Sequence, residues 1–290
     1  MSDITRRKLA AIAGAVGATV VLAAQPAGAQ QEKSTWEQVS ERKTLRLAAP
    51  VAEPSLYKDL TNSDKPGGVK VSDTLWRGWA VNVCREMAEA LGVRLEMIET
   101  TFGNGVAGLQ ANQFDLMFAL DGTPKRAAVI DFVPQPVFLY GTAILAMSGT
   151  KIETWKAIDE ARLQIGVPVG TTMETEIMSR APQAKLDRFQ NVNEMIAAFQ
   201  AGRVAAVSSS LTSMTLTSAR IPNSIVAMPN PAALFPATAA IRQERDPRWR
   251  NFLTTSFSYL ANSGYVQSAL NDAYAFRGVD IAKLQPIVIR

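Results

Sequence analysis

The sequence contains no histidine and only one cysteine, Cys84. Without imidazole, the chain cannot form the Ser-His or Cys-His pairs that activate many enzymatic nucleophiles. Protein zinc sites need histidine or several thiolates, so we expect neither a metal site nor a cofactor. Cys84 has no partner for an internal disulfide. It lies in the apolar stripe of VNVCREMAEALG, so we predict that it packs in the core and is not a reactive thiol.

The sequence has little net charge and no apolar run of the ~20 residues that a membrane-spanning helix needs. Its formal charge is +4 at pH 7, and part of that excess comes from basic residues near the start. We therefore expect the protein to bind neither nucleic acid nor a charged membrane surface. The length suits a sizeable core divided between two lobes.

Residues 1–29 have the order of an export signal: a basic segment, then an apolar run rich in alanine and glycine, then a small-residue cleavage site ending at Ala29. The pair Arg6-Arg7 resembles a twin-arginine signal, although adjacent arginines also occur in ordinary signals. No cysteine lies directly after the predicted cleavage site, so a lipid anchor is not indicated. We expect cleavage near Ala29 and release into the periplasm.

The remaining chain alternates strand and helix patterns. LRLAAP and RLEMIET read as strands, WAVNVCREMAEALG reads as a helix that ends at Gly92, and the continuous apolar run FDLMFAL is typical of a strand covered on both faces. This order predicts a parallel α/β sheet. Small molecules bind such sheets beyond the carboxyl ends of the strands.

The second half repeats this pattern. LQIGVP, RVAAV and SIVAMP read as strands, and NVNEMIAAFQAG reads as a helix capped by Asn193 and ended by Gly202. The tail after residue 245 is predicted to be helical, with Asp246 as its N-cap and Pro247 at the first helical position. Trp155 and Trp249 lie in helical segments and are predicted core residues.

Polar residues follow FDLMFAL at Asp121 and Thr123, with Pro124 and Arg126 next. Thr123 and Pro124 form a helix start, which is compatible with ligand binding. An arginine in the first turn of a helix can grip a carboxylate with its planar fork, so Arg126 is a candidate ligand residue.

VGTTMETE repeats this arrangement at another strand end. Thr171 and Thr172 either cap the following helix or, with free backbone N–H groups, hold a carboxylate opposite Arg126. Aromatic residues near the same loops are predicted to be core residues or flat walls of a small site. They are Tyr57, Trp76, Trp79, Phe102, Phe138 and Tyr140.

Taken together, LRLAAP, the segment from RGWAVNV to AAVIDF, LQIGVPVGTTMETE and NEMIAAFQAGRVAAV resemble the bacterial extracellular solute-binding proteins of family 3, the polar amino acid type. The resemblance implies the type II periplasmic-binding fold, an α/β fold with two lobes joined by two hinge crossings. It implies a lobe 1 of residues 30–146 plus 235–290 and a lobe 2 of residues 147–234, with crossings at TAILAM and near PATAAIRQ.

The resemblance also implies a function. Members of this family close on one small ligand, an amino acid or other small carboxylate, and deliver it to an ABC permease in the inner membrane. We therefore expect a monomeric receptor that catalyses no reaction.

The family's carboxylate-gripping arginine matches Arg126, and its Gly-Thr-Thr turn matches residues 170–172. Three positions depart from the family. Ser210 stands where an acidic residue usually holds the ligand ammonium, Asp121 replaces a Ser or Thr, and Glu53 replaces a ligand-stacking aromatic. Either Asp121 or Glu53 therefore holds the ammonium, or the ligand has none, because an unpaired buried charge is costly. Alternatively, Asp121 only pairs with Lys125 or Arg126 and caps the helix.

The predicted ligand-binding set is Glu53, Trp79, Phe102, Asp121, Thr123, Arg126, Thr171, Thr172 and Ser210. Two other functions remain open. The same fold hosts cyclohexadienyl dehydratases, in which Asp121 or Glu53 would serve as general acid. The second open function is that of a ligand-binding protein that signals to a membrane sensor or a redox system.

Overall fold

The structure is a computed structural model that describes residues 32–280. The predicted export signal, with its cleavage site near Ala29, lies outside the described residues. Within residues 32–280, no helix is both long enough and apolar enough to cross a membrane.

Helices make up much of the described chain and lie between the strands along the sequence. In chain order they are α1 (Thr35–Arg42), α2 (Trp79–Leu91), α3 (Gly105–Gln110), α4 (Pro124–Ala127), α5 (Trp155–Glu160), α6 (Thr172–Arg180), α7 (Val192–Gln200), α8 (Leu211–Ser218), α9 (Arg248–Asn262) and α10 (Tyr265–Phe276).

The strands are mostly short. In chain order they are β1 (Thr44–Ala49), β2 (Tyr57–Lys58), β3 (Gly68–Val71), β4 (Thr74–Arg77), β5 (Arg94–Glu99), β6 (Met117–Phe118), β7 (Asp131–Phe132), β8 (Phe138–Met147), β9 (Gln164–Pro168), β10 (Lys185–Phe189), β11 (Ala206–Ser210), β12 (Ser224–Ala227), β13 (Leu234–Ala237) and β14 (Ala239–Ile241).

The strands of the predicted lobe 1 form three small sheets. β1 and β5 pair in parallel, β14 lies between β6 and β7, and β4 lies between β2 and β3. A parallel bridge between Leu47 and Leu116 brings β1 next to the start of β6. The carboxyl ends of β1, β5 and β6 therefore lie close together.

The strands of the predicted lobe 2, β9 to β12, belong to a six-stranded sheet that also contains β8 and β13 from the predicted lobe boundaries. Its order is β10-β9-β11-β8-β12, and β13 pairs with the first part of β8. β9, β10 and β11 run parallel to one another, whereas β8 is antiparallel to β11, β12 and β13. The mixed α/β architecture with parallel strand pairs agrees with the sequence pattern.

Strand β8 is long enough to take part in two kinds of pairing. Its first part, Phe138–Gly141, pairs with β13, and Thr142–Met147 pairs with β11 and β12. The next strand after β13, β14, belongs to the sheet of β6 and β7. The lobe boundaries stay a proposal, and this pairing favours crossings at Phe138–Gly141 and Leu234–Ala237 over a crossing at TAILAM.

Several local predictions are confirmed. α2 ends at Leu91, and Gly92 follows with φ +62°, a conformation that glycine adopts without a Cβ clash. Cys84 is fully buried, and burial raises the pKa of its thiol. Trp155 and Trp249 are buried in α5 and α9. The FDLMFAL run is buried, although β6 within it has only two residues.

Two predicted helix caps are wrong. Asn191, and not Asn193, caps α7, because its side chain accepts the backbone N–H of Glu194, three residues later. This choice places the buried Val192 at the first helical position. α9 begins one residue later than predicted, with Pro247 at the N-cap, although Asp246 still accepts the N–H of Arg248.

Aromatic contacts connect the core of lobe 1 to its strand ends. Trp79 packs edge-on against Phe118 and Phe138, with ring centroids 5.0 Å apart in both pairs. Each such pair contributes about 0.5–1.5 kcal/mol beyond area burial. Trp79 opens α2 directly after β4, so this packing fixes the start of the helix.

Candidate functional site

A cavity lies beyond the carboxyl ends of the parallel strands and encloses about 630 Å³ of empty space, including space open to solvent. Its walls come from the segments that follow β1, β5, β6, β9 and β11, as expected for a parallel sheet. Residues of both predicted lobes line it: Ala52, Glu53, Ser55, Trp79, Phe102, Ala119, Asp121, Arg126, Phe138, Tyr140, Pro168, Gly170, Thr171, Met173, Ser209, Ser210, Thr212, Ser213 and Ala237.

Arg126 lies in the first turn of α4 and faces this cavity. The Thr123 hydroxyl caps the helix by accepting the backbone N–H of Arg126, so Thr123 positions the arginine but does not line the cavity. The guanidinium donates to the backbone oxygen of Asp121 at 2.8 Å and to that of Gly170 at 2.6 Å. Within the described residues, three of its five N–H groups are left for a ligand.

The carboxylate of Asp121 is almost fully buried at the cavity wall. It accepts hydrogen bonds from the hydroxyls of Tyr140 and Thr172. Burial raises the pKa of Asp121, while these two bonds and the positive charge of Arg126 act in the opposite direction. The alternative pairing of the Asp121 carboxylate with Arg126 is not seen, because Arg126 bonds to the backbone oxygen of Asp121 and not to its carboxylate.

The turn between β9 and α6 approaches lobe 1 closely. Thr171 caps α6 by accepting the N–H of Glu174 and also lines the cavity. Thr172 does not line the cavity, but its hydroxyl donates a hydrogen bond to the carboxylate of Asp121, which does. Gly170 has φ +77°, and a methyl group there would lie 2.9 Å from the Cα atom of Gly103. Only glycine fits this contact between the two predicted lobes.

Glu53 lines the cavity but already has two cationic partners. Arg277 donates to the two carboxylate oxygens of Glu53 through Nε and Nη2, and Nη2 of Arg220 lies 3.1 Å from Oε2 of Glu53. Arg220 belongs to the predicted lobe 2, so this contact also joins the lobes. A carboxylate with two guanidinium partners is a poor acceptor for a third cation.

Ser210 lies at the end of β11 and caps α8 by accepting the backbone N–H of Ser213 at 3.3 Å. It also bonds with the hydroxyl of Thr212 at 3.0 Å. Both residues line the cavity together with Ser209 and Ser213. This wall therefore offers neutral hydroxyl groups and no charge.

Trp79, Phe102, Phe138 and Tyr140 form the aromatic part of the cavity lining, while Tyr57 and Trp76 are buried but do not line the cavity. The indole N–H of Trp79 has no hydrogen-bond acceptor within the described residues, and the hydroxyl of Ser213 has no partner there either. Buried polar groups are normally paired, so both are candidates for ligand contact. Among residues 32–280, no cluster of acidic, cysteine or histidine side chains could hold a metal ion.

The comparisons with known proteins agree with this geometry. The family model of the bacterial extracellular solute-binding proteins, family 3, matches residues 60–270. The chain belongs to this family. The predicted family is thereby confirmed.

One curated relative of this solute-binding protein is a "Probable amino-acid ABC transporter periplasmic-binding protein" of Sinorhizobium fredii. The two are 32% identical over 146 residues, which are 49% of this chain and 42% of the relative. The match therefore spans less than half of the relative's length.

Solved structures show the fold. The solute-binding protein is similar to an L-arginine-bound amino acid ABC transporter substrate-binding protein of Streptococcus pneumoniae, with a TM-score of 0.73, 22% identity, and coverage of 84% of this chain and 98% of that one. It is also similar to an ancestral amino acid-binding protein described as a precursor of cyclohexadienyl dehydratase, with a TM-score of 0.70, 22% identity, and coverage of 83% and 100%. The type II periplasmic-binding fold is confirmed.

The structure of the solute-binding protein gathers most of the predicted ligand residues. The predicted residues that line the cavity are Glu53, Trp79, Phe102, Asp121, Arg126, Thr171 and Ser210. Thr123 and Thr172 do not line it but form hydrogen bonds with Arg126 and Asp121, respectively. Sequence reasoning missed Ser213, Thr212 and Met173 as lining residues. The helix start after SSS could have indicated the first two, because that helix begins at a strand end.

Replacing Gly170 with alanine should disfavour the close approach of the two lobes. The new methyl group would meet the backbone of Gly103, and a left-handed backbone costs a non-glycine residue roughly 1–2 kcal/mol. We expect a larger radius of gyration than in the wild type, measured by small-angle X-ray scattering.

Gly202→Ala is the matched control. Gly202 has φ +69° and no atom within 4 Å of an added methyl group, so it carries the same backbone strain without the contact between lobes. Both variants should lose similar stability, but only Gly170→Ala should expand. Equal radii for the two variants would show that the Gly103 contact does not hold the lobes together.

Proposed function

We propose that this protein is a periplasmic receptor that captures a small carboxylate-bearing solute, an amino acid or a related compound, and delivers it to an ABC importer. The observation that carries the proposal is Arg126, which lines a cavity between the lobes and donates to the carbonyl of Gly170 on the opposite side. A guanidinium with free N–H groups is suited to a carboxylate. Family membership supports the receptor role.

The arrangement suggests how binding is coupled to closure. A ligand shifts the balance between open and closed forms only by its different affinity for the two. A carboxylate at Arg126 would contact lobe 1 and, through the Gly170–Thr171 turn, lobe 2. The closed form, with both contacts, would then be presented to the permease. We also propose that the protein is exported, that its signal is cleaved near Ala29, and that it is a monomer.

The proposal is tested by native mass spectrometry of protein purified without denaturation, followed by thermal-shift screening of amino acids, 2-oxo acids and amines. We expect a retained or added carboxylate to raise the melting temperature, because a ligand that binds only the folded form stabilises it by mass action. Amines without a carboxylate should have no effect. A panel in which only such amines stabilise the protein would contradict the proposal.

One observation favours a second function. The buried Asp121 lies in a largely apolar cavity with a raised pKa, which suits a general acid. The ancestral relative is described as a precursor of a cyclohexadienyl dehydratase. Glu53 is a weaker candidate for this role, because both of its oxygens contact arginine side chains. Turnover of prephenate or arogenate by the purified protein would decide for the dehydratase.

A further inference from the structure

We propose that the cavity selects a small carboxylate that carries no ammonium group, with 2-oxo acids as the probe class. This inference rests on the proposed function, since it assumes that a carboxylate binds at Arg126. Three observations support this narrower ligand class: the charges around the cavity, the hydrogen bonds of its acidic residues and the composition of its walls.

The charges around the cavity leave a positive excess. Its charged lining residues are Glu53, Asp121 and Arg126, and Glu53 is shared between Arg220 and Arg277. With Asp121 ionised, as its two hydroxyl donors favour, these two carboxylates and three guanidinium groups have a net charge of +1, and a proton on Asp121 would increase this positive excess. A ligand with a single negative charge balances this excess, whereas a zwitterionic amino acid adds no net charge and leaves it in place.

The acidic groups at the cavity are already engaged. Both oxygens of Asp121 accept hydroxyl hydrogen bonds, from Tyr140 and Thr172, and its side chain is nearly inaccessible. Glu53 is held by its two arginines. An ammonium group in the cavity would therefore have to share Asp121 with two hydroxyl donors at a nearly inaccessible side chain, or share Glu53 with two guanidinium groups.

The remaining walls are also poor surroundings for an ammonium group. They are formed by aromatic and small apolar side chains and by the neutral hydroxyls near Ser210. Burying an unpaired charge among such groups costs several kcal/mol, as an order of magnitude. By contrast, the unpaired indole N–H of Trp79 needs an acceptor, and an oxo oxygen can supply one.

The test compares matched pairs that share a side chain and differ only at Cα: pyruvate with alanine, 4-methyl-2-oxopentanoate with leucine, and phenylpyruvate with phenylalanine. Affinities are measured by isothermal titration calorimetry on the exported full-length protein after signal removal. In at least one pair, we expect the 2-oxo acid to bind at least roughly tenfold more tightly than the amino acid, a difference of about 1.4 kcal/mol.

The outcomes separate this inference from the receptor function. If, in every pair that binds, the amino acid binds as tightly as its 2-oxo partner or more tightly, the inference is overturned and the receptor function stays in place. If no member of any pair binds but another amino acid of the thermal-shift panel does, this inference alone fails; if no carboxylate of either panel binds, both this inference and the carboxylate part of the proposed function fail.

A variant pair at Ser210 tests the electrostatic cause. Aspartate and asparagine both cap helices as well as serine does, so Ser210→Asp and Ser210→Asn should both keep the start of α8. Ser210→Asp adds an acceptor for an ammonium group and removes the positive excess, so the preference for the 2-oxo acid should fall at least roughly tenfold. Ser210→Asn should keep the 2-oxo acid as the tighter ligand. An equal shift in both variants would show that charge is not the cause of the preference.

Discussion

The variant Arg77→Ala is expected to lose about 3–5 kcal/mol of unfolding free energy, because it leaves a buried carboxylate without its cation. Arg77 is 1% exposed, and its Nε donates to Asp59 at 2.7 Å. Its terminal nitrogens donate to the backbone oxygens of Ser63, Lys65 and Pro66 at 2.6–3.0 Å. The side chain thus holds the whole loop before β3, and urea denaturation at pH 7 measures its contribution.

The same pair gives a pH dependence with a defined sign. Burial raises the pKa of Asp59, but hydrogen bonds from Thr61 and Arg77 outweigh it and bring the folded-state pKa to about 2, below the ordinary 3.8. Because the folded-state pKa is lowered, the stabilisation is present above pH 3.8 and is lost as the pH falls towards 2. In Arg77→Ala, this loss of stability at acid pH should be smaller.

Two further variants serve as controls: one removes an exposed arginine, and the other removes both members of the buried pair. Arg248→Ala removes an exposed arginine that pairs with Asp246 and Glu37, and it should change stability little. The double variant Asp59→Asn with Arg77→Ala should recover part of the loss of Arg77→Ala, because no buried charge remains. A loss in Arg77→Ala no larger than that in Arg248→Ala would contradict the structural role of the buried pair.

Features encoded by neighbouring residues could be predicted from the sequence. The strand β1, the helix α2 with its stop at Gly92, and the Thr123-Pro124 helix start all depend on spacing within a few residues. The error at Asn193 was local too, because Asn191 has a glutamate three residues later, as in a capping box. The α/β class and the candidate role of Arg126 therefore followed from local patterns and their order, whereas the type II fold was implied by the family resemblance.

Contacts between distant residues could not be predicted in this way. Glu53 is 224 residues from Arg277, and Asp121 is 51 residues from Thr172. Both carboxylates were candidates for an ammonium group, because the sequence did not reveal these partners. Tertiary contacts decide whether a buried carboxylate already has hydrogen-bond partners, so the charge preference of the cavity depends on residues that are far apart in the sequence.

Arg126→Ala is expected to weaken ligand binding at least roughly a hundredfold, because hydrogen bonds to a charged group contribute ~1.5–3 kcal/mol each and a bidentate carboxylate uses two. The variant also removes the bond to Gly170 that joins the lobes. Its fold should persist, since Arg126 lies at the cavity and the carbonyls it leaves can bond to water. Isothermal titration with the carboxylate that gives the largest thermal shift measures the loss, and circular dichroism checks the fold.

The neighbouring Lys125 gives a matched control, since it lies exposed in the same turn of α4 and does not line the cavity. Lys125→Ala removes the same amount of formal charge and should leave the affinity near that of the wild type. Arg126→Lys keeps the charge but loses the planar fork, so its affinity should fall between those of the wild type and Arg126→Ala. If Arg126→Ala and Lys125→Ala bind the ligand equally well, the carboxylate is held elsewhere. The hydroxyl groups of Ser209, Ser210, Thr212 and Ser213 would then be the next candidates for binding it.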